Sequence, residues 1–237
     1  MLHDVLEANW QDIKDEIMLG LKKADCVDGV YAIPVTGTDM VVTFQVPLVQ
    51  DEKKSSYAVL GVGLVKDIGV SEETMFREAV KNGVEKRPVV LRPLECMLMG
   101  SILGDLSEEA EEEMLKEGLV FASCKSNVYG AACNVYGAAC LLYPGFLKMA
   151  GERLGGGFYI LPSSVHELLL LPEAVCGKEE KSIWDLREMV RSVNENEVED
   201  KDRLSDEIYY SEGGSLFHVN VEDGGTMEKI NLLDRFQ

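Results

Sequence analysis

Phe158-Tyr-Ile-Leu-Pro-Ser-Ser-Val-His-Glu-Leu-Leu-Leu-Leu-Pro172 sets two serines, a histidine and a glutamate between two strongly apolar runs. The run Leu168–Leu171, closed by Pro172, is too short for an ordinary helix and reads as a buried strand. Phe158–Leu161 reads as the strand before it. Polar groups so close to a core must find partners, because an unpaired buried donor or acceptor costs about 1–3 kcal/mol. The segment is therefore either a structural corner with local hydrogen bonds or the floor of a site.

Upstream, Gly155-Gly156-Gly157 stops a helix over Gly145–Leu154, and strands are expected at Leu119–Ser123 and about Ala138–Tyr143. Downstream, Ser182 and Asp185 predict the start of a helix that buries Ile183, Leu186, Met189, Val190 and Val193. Beyond about Asn196 the chain is acidic and weakly periodic until Ile208-Tyr209-Tyr210. Leu216–Val221 reads as a last short strand, and the terminal residues as peripheral.

In the first half, Leu2, Leu6, Trp10, Ile13, Ile17 and Leu21 recur at helical spacing, which predicts an amphipathic helix over 2–23. Gly29–Val35 and Met40–Val49 flank Thr36-Gly37-Thr38-Asp39 and predict a hairpin. A polar loop, Asp51–Ser55, leads to a third strand over Ser56–Val65, weakened by Gly61 and Gly63. Ser71 caps a helix with Glu72 and Glu73 in its first turn, a buried face of Met75, Phe76, Ala79 and Val80, and Gly83 at its end. Pro88 and Pro93 break the chain before a short apolar helix near Leu94–Leu103. Residues 107–117 form the most acidic run, a solvated helix suited to joining two halves or recruiting a basic partner.

These elements predict an α+β fold, with a largely antiparallel sheet in each half and helices packed on one side. The expected divisions are an N-terminal α+β half (1–105), an acidic connecting helix (106–118), a C-terminal ββαββα half (119–210) and a peripheral tail (211–237). The halves are free to pack as one domain.

Composition narrows the function classes. At 237 residues with 46% hydrophobic side chains, the chain is large enough for a substantial core. Its 42 acidic against 23 basic side chains give a formal charge of −19, a field that repels phosphate backbones and anionic lipid. Nucleic acid and membrane surfaces are therefore not expected as partners, while a protein or small-molecule partner is. The start, Met1-Leu-His-Asp-Val-Leu-Glu, does not read as a signal peptide, and the apolar runs fall short of the ~20 residues of a spanning helix. With six cysteines and no Cys-x-x-Cys pair, free thiols and a cytoplasmic setting are expected.

An exact tandem heptapeptide, Asn127–Cys133 repeated as Asn134–Cys140, is too short for a solenoid repeat. Its Gly, Val and Tyr content argues against a helix. One copy is expected to continue a strand into Leu141-Leu142-Tyr143 and the other to enlarge a hairpin loop, where insertions are tolerated.

Gly137-Ala138, Leu141-Leu142-Tyr143-Pro144 and Phe158 through Glu167 resemble the recurrent pattern of an uncharacterised family from Gram-positive gut anaerobes, a domain of unknown function. Met189-Val190-Arg191-Ser192-Val193-Asn194 and Leu204-Ser205-Asp206-Glu207-Ile208-Tyr209 are similar to its downstream motifs, and Tyr57–Arg87 is similar with less specificity. The resemblance covers roughly residues 29–210 and carries no catalytic assignment. The family shows one Gly-Ala segment where this chain has two, and many members have a longer N-terminal region.

Ser163, Ser164, His166 and Glu167 are the candidate site residues, for ligand binding or, in the case of Ser164, His166 and Glu167, for catalysis. A catalytic serine needs a base within reach and a third group that orients the base. In an extended segment Ser164 and His166 share one face and Glu167 points to the other, so an orienting carboxylate must come from elsewhere. Alternatively, Ser164-Val-His-Glu167 fits a capping box. Either geometry gives these residues structural work.

Metal ligation is not expected. The three histidines (His3, His166, His218) include no His-x-x-x-His, and Cys124, Cys133 and Cys140 read as buried small residues. Gly155-Gly156-Gly157 follows a helix, the wrong order for a phosphate loop. No cofactor is expected. The favoured function is a non-catalytic binding or regulatory module; the alternative is a hydrolase-type enzyme using His166 with Ser164 or Glu167. A His166 at the floor of a pocket beside a second carboxylate favours the enzyme, and a ring enclosed and paired to backbone favours the module.

Overall fold

The computed structural model describes residues 9–50, 55–103, 107–124, 136–162, 164–176 and 180–232. It shows an α+β fold with two antiparallel sheets. The smaller contains β1 (Met18–Lys23), β2 (Ala32–Pro34), β3 (Met40–Gln50) and β4 (Ser55–Val59), with β1 and β2 flanking β3 and β4 extending the pairing along β3. The larger has seven strands. In spatial order these are β11 (Thr226–Ile230), β10 (Ser215–Asn220), β9 (Tyr209–Glu212), β7 (Phe158–Leu161), β8 (Leu168–Pro172), β6 (Val120–Cys124) and β5 (Val89–Pro93).

The opening segment supplies the central hairpin of the larger sheet, and its side chains alternate between two cores. Phe158, Ile160, Leu168 and Leu170 enter the main core, whereas Tyr159, Leu161 and Leu171 enter a second one. A strand buried on both faces needs apolar residues at every position, which explains the uninterrupted Leu168–Leu171. The second core is closed by Ile183, Leu186 and Val190 of α8 (Glu180–Asn196). The main core joins both sheets to α3 (Glu72–Lys86), a 3-10 helix (Gly137–Leu142) and α6 (Phe146–Leu154).

Several expectations change. The described part of 2–23 is not one helix: a single capped turn, α1 (Trp10–Ile13), gives way to β1. Ile17, Leu19 and Leu21 enter the core at every second residue, and pairing with β3 overrides the coincident helical spacing. The strand expected over Ser56–Val65 ends at Val59, and Gly61 begins α2 (Val62–Ile68). Ser71 caps α3 as expected, its hydroxyl accepting from the Thr74 N–H, but Gly83 does not end the helix. There a Cβ would lie 2.5 Å from the Tyr143 hydroxyl, so glycine serves close packing.

Between Pro88 and Pro93 the chain forms edge strand β5, where a terminal proline is tolerated, before α4 (Leu94–Leu103). The acidic helix α5 (Glu108–Met114) connects β5 to its neighbour β6, and Arg153 of α6 grips its Glu112 with a two-pronged bond at 3.0 and 2.6 Å. The strand expected over Ala138–Tyr143 is the 3-10 helix, and the described part of the second heptapeptide copy, Tyr136–Cys140, turns into it. The first copy, Cys133 and residues 51–54 of the polar loop lie outside the described residues. Helix α8 includes Glu180, so Ser182 is inside it, and Met189 and Val193 are exposed. After β9 the short strand expected over Leu216–Val221 is β10, and β11 follows it, with Leu216, Val219 and Ile230 buried. A short helix, α7 (Glu173–Cys176), follows β8.

Candidate functional site

The loop between β7 and β8, Pro162–Glu167, is held on two sides by backbone. Val165 donates to Asp202 O at 2.8 Å and Ser205 donates to Pro162 O at 2.9 Å, while Ala138 donates to Val165 O at 3.2 Å. Ser164 also forms an isolated bridge to Arg203. The loop is thus neither a capped helix nor a free extended strand.

Ser164 is 6% exposed, and its hydroxyl oxygen accepts the His166 backbone N–H at 3.0 Å. The same hydroxyl engages the Glu167 carboxyl. Burial pushes the Glu167 pKa up, against the opposing pull of Ser164 and the His166 charge. The His166 Nδ1 accepts the Tyr136 N–H at 3.2 Å, so a neutral ring carries its proton on Nε2. Nε2 faces Asp202 Oδ1 at 3.6 Å, and the His166 side chain remains 33% exposed. The backbone oxygen of His166 accepts the Ser123 hydroxyl at 3.0 Å. Ser164, His166 and Glu167 therefore lie together, but the serine is bonded to the histidine's amide rather than its ring. Ser163 lies outside the described residues.

Tyr136 is held with φ 58°, a left-handed conformation that is costly for a bulky residue. Such strain persists only where surrounding contacts overdetermine it, and it concentrates at functional sites. Its ring lies 6.0 Å from that of His166, 5.9 Å edge-on from that of Tyr57, and 5.8 Å from the Lys22 Nζ. Burial, with a lesser push from Asp202, raises its phenol pKa. Lys22, Tyr57, Tyr136 and His166 are all half-buried. Next to Tyr136, Gly137 is obligatory for packing: a Cβ there would overlap Ser123 Oγ and His166 O.

A second network locks the sheets together. Asp39, in the β2–β3 turn, accepts the Ser205 hydroxyl at 2.6 Å and the Tyr209 hydroxyl at 3.0 Å. Asn194 donates to Ser205 O at 2.9 Å and Asp206 Oδ1 at 2.7 Å, and Lys23 pairs with Asp206 at 2.6 Å. Burial works to raise the Asp206 carboxyl, but bonds from Lys23 and Asn194 outweigh it and hold its pKa below the ordinary range. Ser205, Asp206 and Tyr209, the first two braced by Asn194, thus fasten β1 and the β2–β3 turn onto the larger half.

Lys22, Tyr57, Ser123, Tyr136 and Asp202 carried no individual signal in the sequence. Asp202 supplies the carboxylate that sequence reasoning placed elsewhere, but it sits in a weakly periodic acidic stretch. Among the described residues, no three His, Cys, Asp or Glu side chains gather as a metal site, and no helix is long and apolar enough to cross a membrane. A cavity of about 290 Å³ lies apart from this corner, between Tyr143–Lys148 and the β10–β11 strands.

Fold and site define an α+β protein whose Pro162–Glu167 loop is tied into the scaffold beside the half-buried side chains of Lys22, Tyr57, Tyr136 and His166. The chain belongs to the family of unknown function DUF5688, whose model matches residues 8–212. No curated protein and no solved structure matches it.

Proposed function

We propose that the chain is a non-catalytic binding or regulatory module, which takes a protein or small-molecule partner at the corner around His166. One observation carries this reading: the reactive groups of the loop are committed to the scaffold. The Ser164 oxygen accepts the His166 amide, and His166 Nδ1 accepts the Tyr136 amide. A base whose lone pair is occupied by a backbone donor is not free to take a serine proton. What faces solvent is the cluster of Lys22, Tyr57, Tyr136 and His166. A cytoplasmic setting, a source among Gram-positive gut anaerobes, and signature status for Phe158–Glu167 belong to the same proposal.

The competing reading, a hydrolase using His166 with Ser164 or Glu167, has two observations in its favour. Asp202 Oδ1 stands 3.6 Å from His166 Nε2, a second carboxylate beside the ring. Burial raises Glu167 beside the Ser164 hydroxyl, a pairing that a carboxylate base needs with its nucleophile. Hydrolysis of p-nitrophenyl acetate and p-nitrophenyl phosphate by wild type, Ser164→Ala and His166→Ala separates the two. The module predicts equal background rates for all three. Turnover lost in both variants while their folding is retained would establish the enzyme.

A further inference from the structure

The cavity of about 290 Å³ between the start of α6 and the β10–β11 strands takes no part in the corner around His166. Leu216 and Ile230 lie opposite each other on β10 and β11, and with Leu141 and Leu147 they give it a floor of buried aliphatic side chains. Tyr143 and Pro144 complete one wall. Such a floor favours a ligand that has apolar surface to remove from water. The volume sits at the lower edge of known ligand pockets, which fits a body of a few carbons.

The rim departs from the charge of the rest of the chain. Acidic side chains outnumber basic ones 42 to 23 over the sequence, yet none of the described residues lining the cavity is Asp or Glu. Lys148 and Lys229 both line it, and both are exposed. Lys148 meets Glu152 only at 3.9 Å, with the two side chains 74% and 67% exposed, a pairing too solvated to hold the ammonium in place. Ser215 and Asn231 add a hydroxyl and an amide to the same lining. Helix α6, nine residues long, begins at this wall on Gly145, which supplies no side-chain cap, so the amides of its first turn add to the positive field.

We infer that this cavity binds a small aliphatic monocarboxylate, with its chain on the leucine and isoleucine floor and its carboxylate at the Lys148 rim. A short hydrated anion leaves the floor uncovered, and a neutral or cationic amphiphile forgoes the charge of the rim. The site lies apart from the His166 corner, so it does not depend on how that corner is used.

Calorimetric titration and thermal unfolding of the full chain with hexanoate, acetate, 1-hexanol and hexylamine test both halves of the ligand. Hexanoate should bind and raise Tm in a concentration-dependent way, and lower salt should tighten it. Acetate should bind on the order of a hundredfold more weakly, for its four missing methylenes. Hexanol, without the charge, and hexylamine, with the opposite charge, should each bind at least about fivefold more weakly. Lys148→Met keeps the aliphatic stem and removes the charge. It should weaken hexanoate by about threefold to fivefold and leave the response to hexanol unchanged, and Lys148→Glu should weaken hexanoate further.

No heat and no Tm shift with hexanoate up to about 10 mM overturns the site. Hexanol or hexylamine binding as tightly as hexanoate overturns the anionic class. Wild-type affinity for hexanoate in both Lys148 variants overturns the placement of the carboxylate. His166→Ala should leave hexanoate binding unchanged, and a loss of binding in that variant, folded, would move the ligand to the corner and refute this cavity as its seat. None of these outcomes depends on the ester assay, so the two proposals fail separately.

Discussion

Replacing Gly137 by alanine should destabilise the protein by about 2–4 kcal/mol, and the origin of that cost can be dissected. Gly137 is not among the positive-φ glycines, so backbone strain plays no part and the effect is steric. The added methyl would overlap Ser123 Oγ and His166 O and would sit 3.0 Å from Ser123 Cβ. Turning the serine aside gives up its 3.0 Å bond to His166 O, worth about 1 kcal/mol. The carbonyl cannot turn aside, because the loop is fixed by the Ala138–Val165 and Tyr136–His166 bonds, so overpacking adds about 1–3 kcal/mol. In a chain of this size the sum lowers Tm by roughly 4–16 °C.

Urea unfolding of Gly137→Ala, Ser123→Ala and the double variant is the appropriate assay. Ser123→Ala alone should cost about 1 kcal/mol. The double variant should recover part of the loss and still fall short of Ser123→Ala, because the His166 carbonyl remains in the way. A Gly137→Ala protein within about 0.5 kcal/mol of wild type would refute the seating of Tyr136–Ala138 beneath the β7–β8 loop.

Other consequences are equally direct. Asp39→Ala strands the Ser205 and Tyr209 hydroxyls and should cost about 2–3 kcal/mol, against about 1 kcal/mol for Tyr209→Phe, both read from thermal unfolding. Asn82 is buried and donates to Lys14 O at 2.8 Å and Ile17 O at 2.9 Å, so Asn82→Ala should cost about 1–3 kcal/mol, and a neutral result would count against the α3–β1 contact. Glu167 holds its proton more tightly folded than unfolded, so its contribution is lost as pH rises from the ordinary carboxyl range through its raised folded pKa. Glu167→Gln should therefore gain stability relative to wild type between pH 4 and pH 7, and a difference that is flat or shrinking in urea titrations contradicts the burial of this carboxyl.

Local signals were legible where neighbours in sequence decide the outcome. The Ser71 cap with Glu72 and Glu73, the Gly37 turn between β2 and β3, and the apolar strands on either side of the polar loop are settled within a few residues. Ambiguity entered where a pairing partner decides. Ile13, Ile17 and Leu21 satisfy a helical period as well as Ile17, Leu19 and Leu21 satisfy a strand period, and β3 selects the second. Ala138–Tyr143 has a strand-like composition, but the space beneath the loop accepts a 3-10 turn with glycine at 137.

Sequence alone determined the α+β class, the antiparallel hairpins, and the Phe158–Pro172 segment as a polar loop between buried strands, because period and turn chemistry are local properties. It also marked Ser164, His166 and Glu167 as the groups to examine. Only the tertiary structure decided what they touch. The partners of His166 are Tyr136, 30 residues before it, and Asp202, well after it in the chain. The polar pair Thr43 and Gln45 reads as ordinary strand residues until both faces of its sheet are seen to be buried. Hydrogen bonds and burial are made between segments distant along the chain, and a one-dimensional pattern does not encode which segments meet.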